Sequence, residues 1–104
     1  MDQDIENGLK LMKQAADLGN AEACYSMGFF HGKGIHFEET DINKAIHYYT
    51  LAAEKGNENA MNELGFIYCK GKGVPVDYKK AFNYLTTSFE KGNTKGKKNK
   101  KIKK

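Results

Sequence analysis

The sequence predicts an all-α fold, an α/α solenoid of helix-turn-helix repeats with about five helices. Three observations predict it. The chain duplicates itself, residues 21–57 aligning with 58–93 at an offset of 37 that drops to 36 after one residue is lost from the second copy. Apolar residues recur at helical spacing in both copies. Aspartate opens and glycine closes the same apolar stretch in each, at 41 and 56 in one and at 77 and 92 in the other.

The alignment is dense. Ala23 meets Ala60, Met27-Gly28-Phe29 meets Leu64-Gly65-Phe66, and Gly34 meets Gly71. Beyond the lost residue, Asp41 meets Asp77, Lys44-Ala45 meets Lys80-Ala81, Tyr48 meets Tyr84, and Gly56-Asn57 meets Gly92-Asn93. The opening DIENGLKLMKQAADLGN resembles only the second half of a unit, DINKAIHYYTLAAEKGN. The organisation is therefore a half unit (1–20), two whole units (21–57 and 58–93) and a lysine-rich tail (94–104).

The opening helix carries Ile5, Leu9, Met12 and Ala16 on one face. The first helix of each whole unit, roughly 21–31 and 58–69, aligns Ala23, Met27 and Phe30, or Ala60, Leu64 and Ile67. The second aligns Ile42, Ala45, Ile46, Tyr49 and Ala53, or Tyr78, Ala81, Phe82, Leu85 and Phe89. Asp4, Asp41 and Asp77 stand where an N-cap or first-turn acid belongs. Gly19, Gly56 and Gly92 stand where a left-handed residue ends a helix. Gly28 and Gly65 fall inside the first helices, where each costs about 1 kcal/mol against alanine. A cost incurred twice points to a neighbouring helix that approaches too closely for a side chain.

Composition sets the outer bounds. A chain of 104 residues with 39% hydrophobic content makes one domain with a thin core. All 17 basic residues are lysine, and the missing arginine weakens any reading as a specific nucleic-acid or phosphate binder. Residues 95–104 hold seven lysines; the remaining ten face 13 acids, so the body has a charge of −3. The tail reads as a disordered, solvated end, with a nuclear address or a polyanion contact as sharper alternatives. No secretory leader or membrane-length apolar run is visible, and Cys24 and Cys69 are expected to be reduced thiols of an intracellular, cytoplasmic or nuclear protein.

Three stretches could carry chemistry. KGKGV (70–74) lacks the GxxxxGK[ST] order of a phosphate loop and the last glycine of a GxGxxG fingerprint, so it reads as a turn that needs positive φ. His31, His36 and His47 form no HxxxH pair, and no metal or other cofactor is expected. Ser88 and Lys91 make a Ser-x-x-Lys, but the SDN and KTG companions are missing.

Ala60, Leu64-Gly65, Tyr68, Gly71, Gly73-Val74, Asp77, Lys80-Ala81 and Gly92, with Ala23, Gly28, Gly34, Asp41, Lys44-Ala45, Ala52-Ala53 and Gly56 in the first unit, resemble the Sel1-like repeat family of tetratricopeptide-like solenoids. In the first unit the second loop glycine is replaced by His36, unless Gly32 and Gly34 form the pair. The resemblance implies a non-catalytic adaptor whose first helices line a concave groove for a protein or peptide. The residues projecting there are Glu22, Tyr25 and Phe29, with Asn59, Asn62 and Phe66 equivalent; packing between helices is the competing role for Phe29 and Phe66. Some cysteine-rich relatives are described as β-lactamases or penicillin-binding proteins, which makes hydrolysis through Ser88 the alternative. In those relatives a cysteine placed like Cys24 pairs with the preceding helix, at the position that is Ala16 here.

The last helix has no successor in the sequence to cover Phe82, Leu85 and Phe89, so self-association through this end face, or a place within a longer array, is expected. A membrane partner is not. Removing residues 95–104, with Ile102 alone among seven lysines, is expected to leave the thermal unfolding midpoint essentially unchanged; a large fall in a calorimetric melt would show that the tail supports the fold.

Overall fold

The computed structural model describes residues 3–37 and 39–100, with side chains described as far as residue 92. Five α-helices follow one another: α1 (Gln3–Asp17), α2 (Ala21–Lys33), α3 (Ile42–Glu54), α4 (Glu58–Lys70) and α5 (Tyr78–Lys100). α2 and α3 pack as one helical hairpin and α4 and α5 as the next, while α1 leans on α2 and α3 on α4. The architecture is an all-α solenoid of two hairpins preceded by a single helix.

The joints between units are built alike. Gly19 (φ 92°) and Gly56 (φ 94°) take the left-handed conformation that ends α1 and α3. At the first joint the Gly19 N–H donates to the Ala16 carbonyl and the Asn20 N–H to that of Ala15. At the second, Gly56 donates to Ala53 and Asn57 to Ala52. This is the Schellman pattern, in which the last carbonyls of a helix are satisfied by the chain that leaves it. Asn20 and Asn57 then turn their side chains onto the next helix, each Oδ1 accepting from a backbone N–H (Ala23 or Ala60) at 2.8 Å. These two caps did not stand out in the sequence; the Gly-Asn pair repeated at 19–20 and 56–57 was their signal.

Within units, α2 and α4 end on left-handed Gly34 (φ 70°) and Gly71 (φ 66°). Two residues later a second positive φ occurs in both loops, at His36 (φ 67°) and Gly73 (φ 78°). The first-unit turn has therefore not slipped to Gly32 and Gly34; His36 adopts the glycine conformation, and its ring meets Phe30 edge-on at 5.4 Å. KGKGV (70–74) opens the inter-helix turn of the second unit. Both loops finish alike, with the Asp41 N–H on the His31 carbonyl and the Asp77 N–H on that of Tyr68. Asp41 and Asp77 then cap α3 and α5 through the backbone N–H of Lys44 and Lys80. Asp4 lies in the first turn of α1.

The mid-helix glycines mark the closest approaches inside each hairpin. A Cβ on Gly28 would lie 2.7 Å from the Tyr49 ring, and one on Gly65 would lie 2.5 Å from Leu85 Cγ. The core that results is made largely of small residues: Ala16, Ala45, Ala52 and Ala60 are buried with Cys24, Met27, Tyr49 and Leu64. Cys24 fills the gap beside α1, its Sγ 3.5 Å from the Ala16 carbonyl. The two positions that pair in the cysteine-rich relatives are thus neighbours here, linked by a weak thiol hydrogen bond. Cys69 is exposed.

One boundary differs from expectation. α5 does not stop at Gly92 but runs to Lys100, overlapping the tail expected to be disordered. No proline interrupts 93–100, lysine is a good helix former, and Gly92 with nothing near its Cβ position only weakens the helix there. Residues 101–104 of that tail lie outside the described residues.

The glycines separate packing from propensity. Gly28→Ala is expected to lose about 1–3 kcal/mol in urea unfolding, because a rigid ring cannot yield to the new methyl and the overlap outweighs the helix gain. Gly8→Ala, in open space on α1, is expected to gain up to about 1 kcal/mol in the same measurement. Equal effects at the two positions would remove the close-approach explanation.

Candidate functional site

The surface of the second unit holds the candidate site. Glu58, Asn59 and Asn62 from α4, with Leu85, Ser88, Phe89 and Gly92 from α5, line one open depression of about 500 Å³. The amides expected to bind a partner and the apolar residues expected at the end face thus share a groove, which their separation in sequence did not reveal. Around it the apolar exposure is unusual. Phe66 is 60% exposed, Tyr78 70%, Phe82 68%, Leu85 40% and Phe89 70%. Single exposed hydrophobics are ordinary, but several on adjoining faces mark an interaction surface.

The equivalent residues of the first unit are disposed differently. Tyr25, expected to project, is half-buried and packs against the core, its ring 5.7 Å from that of Tyr49. Phe29 is half-buried, 6.2 Å from Tyr25. The covering helix α4 explains this: it lies on α3, and its Glu63 carboxylate acts electrostatically on both tyrosines. Burial foremost, then Glu63, pushes both phenols above the ordinary tyrosine value. Lysine sits over the aromatic ring in both units, Lys33 over Phe29 at 5.8 Å and Lys70 over Phe66 at 5.9 Å.

Ser88 is a structural residue in this geometry. It is buried, and its hydroxyl donates to the Glu58 carbonyl at 3.2 Å, tying α5 to the first turn of α4. Lys91 reaches the other way, toward Gly56 at the end of α3. Lys55 stands over Gly19 in the same manner, which places a cation at the carbonyl end of the preceding second helix in each unit.

The histidines are dispersed, and among the described residues no group of three or more His, Cys, Asp or Glu is placed to hold a metal ion. His31 is buried and stacks in parallel on Phe37 at 4.2 Å and on Tyr48 at 5.8 Å. Its counterpart Tyr68 stacks on Tyr84 at 6.3 Å, under Lys80. His47 meets Tyr48 edge-on. Among the described residues no helix is long and apolar enough to cross a membrane.

Comparison with known proteins agrees with this geometry. The family model described as Sel1 repeat matches residues 1–20, 21–57 and 59–93. The chain belongs to the Sel1 repeat family. A Sel1 repeat protein from Oxalobacter formigenes has a similar crystal structure, with TM-score 0.74 and 28% identity over 82% of this chain and 63% of that one. So does c5321, a protective antigen of uropathogenic Escherichia coli strains displaying an SLR fold, with TM-score 0.77 and 30% identity over 88% of this chain and 20% of that one. The chain thus spans less than two thirds of the first relative and a fifth of the second. No curated protein matches it. Sel1 repeat proteins generally serve as non-catalytic modules for protein–protein interaction, and nothing in these comparisons supports the hydrolase alternative.

His31 gives this fold a pH dependence of known sign. Burial first, then the Lys44 ammonium, holds its pKa below the ordinary 6.5, with Asp41 opposing. The unfolded chain therefore binds the proton more readily than the folded one. Stability from this residue is complete above about pH 6.5 and falls as the pH drops below that value, levelling off under the folded pKa. His31→Tyr, which installs the residue of the second unit, is expected to flatten that part of the stability–pH curve in denaturant titrations; an unchanged curve would assign the acid sensitivity elsewhere.

Proposed function

We propose that the chain is a protein-interaction module that receives a protein or peptide partner on the open surface of its second unit. The observation that carries this reading is the groove itself. Asn59 and Asn62 offer amide donors and acceptors beside Leu85 and Phe89, with Phe66 and Phe82 exposed nearby. Aromatic area with a few oriented polar groups is the composition of binding hot spots. Phe66 is rigid and more than half exposed, so covering it costs little conformational entropy. In this reading Tyr25 packs against the core and Phe29 lies beside it, and neither is a contact residue.

A photo-crosslinking residue introduced at position 62 is expected to give discrete protein adducts in cells, and one at exposed Asn43 on α3 is not. Phe66→Ala is expected to reduce the adducts by about tenfold or more, the loss typical of a hot-spot aromatic, with helicity unchanged by circular dichroism. The same adducts from both positions, or adducts indifferent to Phe66, would overturn the assignment.

A further inference from the structure

A cleft of about 370 Å³ opens between α1 and α3, beside the first unit. Small-molecule sites typically measure roughly 300–1,000 Å³. Each surrounding element contributes to its apolar wall: Leu9 from α1, Met27 and His31 from α2, Phe37 from the loop that follows, and Tyr48 from α3. Three of these are flat rings in one stack. His31 lies parallel to Phe37 within 6° and to Tyr48 within 1°. Such a wall suits a planar apolar body, and the flexible Met27 thioether can adapt to its outline.

The charged residues of the cleft are three lysines and one acid, Lys10, Lys13 and Lys44 against Glu6. Lys10 and Lys13, three residues apart, are neighbours on one face of α1. Two further carboxylates stand close by and are engaged elsewhere. Asp17 pairs with Lys13 at 3.1 Å, an exposed i,i+4 contact of little strength, and Asp41 accepts from the Lys44 backbone N–H as the cap of α3. At the His31 ring the Lys44 ammonium outweighs the Asp41 carboxylate. The second unit provides the contrast. Shifted by one repeat, Lys13, Lys44 and Tyr48 become Thr50, Lys80 and Tyr84, which line an equivalent cleft of about 410 Å³ between α3 and α5. There one lysine meets one acid, Glu54, and Lys80 is seated over the Tyr68 ring at 4.8 Å. His31 replaces that ring in the first unit, and the rings that hold cations well are those of Trp, Tyr and Phe. An excess of positive charge around an aromatic wall is thus particular to the first cleft.

We propose that the α1–α3 cleft binds a small aromatic carboxylic acid, its ring against Met27, His31 and Tyr48 and its carboxylate among Lys10, Lys13 and Lys44. Charge-assisted hydrogen bonds from lysine hold the acid group, and burial of the ring supplies the rest of the affinity. The site is separate from the second-unit groove and stands whether or not a partner binds there.

The probe is naphthoate, compared with naphthamide, which has the same outline without the charge. Proton NMR of the His31 ring in the full chain follows both. Naphthoate is expected to bind about tenfold or more tightly than the amide, with affinity falling as salt is raised. A carboxylate held beside the imidazole offsets Lys44, so saturation with naphthoate is expected to raise the His31 pKa toward the ordinary 6.5, and the amide is not. Lys10→Gln combined with Lys44→Gln is expected to weaken naphthoate about tenfold, with helicity unchanged because both side chains are exposed. Lys80→Gln, in the second cleft, is expected to leave binding as it was. No saturation by naphthoate at millimolar concentration, equal binding of the amide, a His31 pKa that does not respond, or an equal loss in Lys80→Gln overturns the proposal. Octanoate binding as tightly as naphthoate also overturns it, by removing the preference for an aromatic body.

Discussion

Everything in this chain depends on two missing side chains. Gly28 and Gly65 let the second helix of each hairpin lie directly on the backbone of the first, with Tyr49 and Leu85 filling the space a methyl would claim. That contact brings the helices close enough for alanine to be a core residue, which is why Ala45, Ala52 and Ala60 can be fully enclosed without large neighbours. A chain of this size with little hydrophobic content has few other ways to exclude water. The glycines weaken the helices locally and strengthen the pair, and the pair is the unit that repeats.

Much of this architecture was legible before any coordinates. The offset of 37, the recurring aspartates and the glycines place the helices to within two residues, because capping and left-handed termini are local chemistry that a sequence states directly. The C-terminal limit of α5 was not legible: Gly92 copies Gly56 in sequence, but its chain continues helical where the first unit turns into α4. A glycine permits a stop without enforcing one. The left-handed His36 was open for the opposite reason, since a side chain there is disfavoured and only the geometry that the two loops share, visible in three dimensions, decides the matter.

The site was legible in its members and not in its grouping. Asn59, Asn62 and Phe66 were recognised by analogy with Tyr25 and Phe29, and Phe82, Leu85 and Phe89 by the lack of a following helix. Periodicity assigns residues to faces of one helix but says nothing of which faces adjoin, so the meeting of Asn59 and Asn62 with Leu85 and Phe89 in one groove needed the hairpin's crossing. The same limit explains Tyr25. It shares a register with Asn62, yet one is covered by α4 and the other is free, a difference of neighbourhood that no single-helix pattern contains.

The joints at 18–20 and 55–57 have a consequence for shape. Both use glycine within two degrees of the same φ, the same pair of backbone hydrogen bonds and the same asparagine cap. The rotation and translation that carry one second helix onto the following first helix are therefore set by the covalent path and its caps, independently of which apolar residues happen to fill the hairpins. The array behaves as a screw whose pitch is written in its connectors. A substitution at an exposed position of a hairpin leaves these connectors intact, while a change at Gly19 or Gly56 would redirect every unit beyond it.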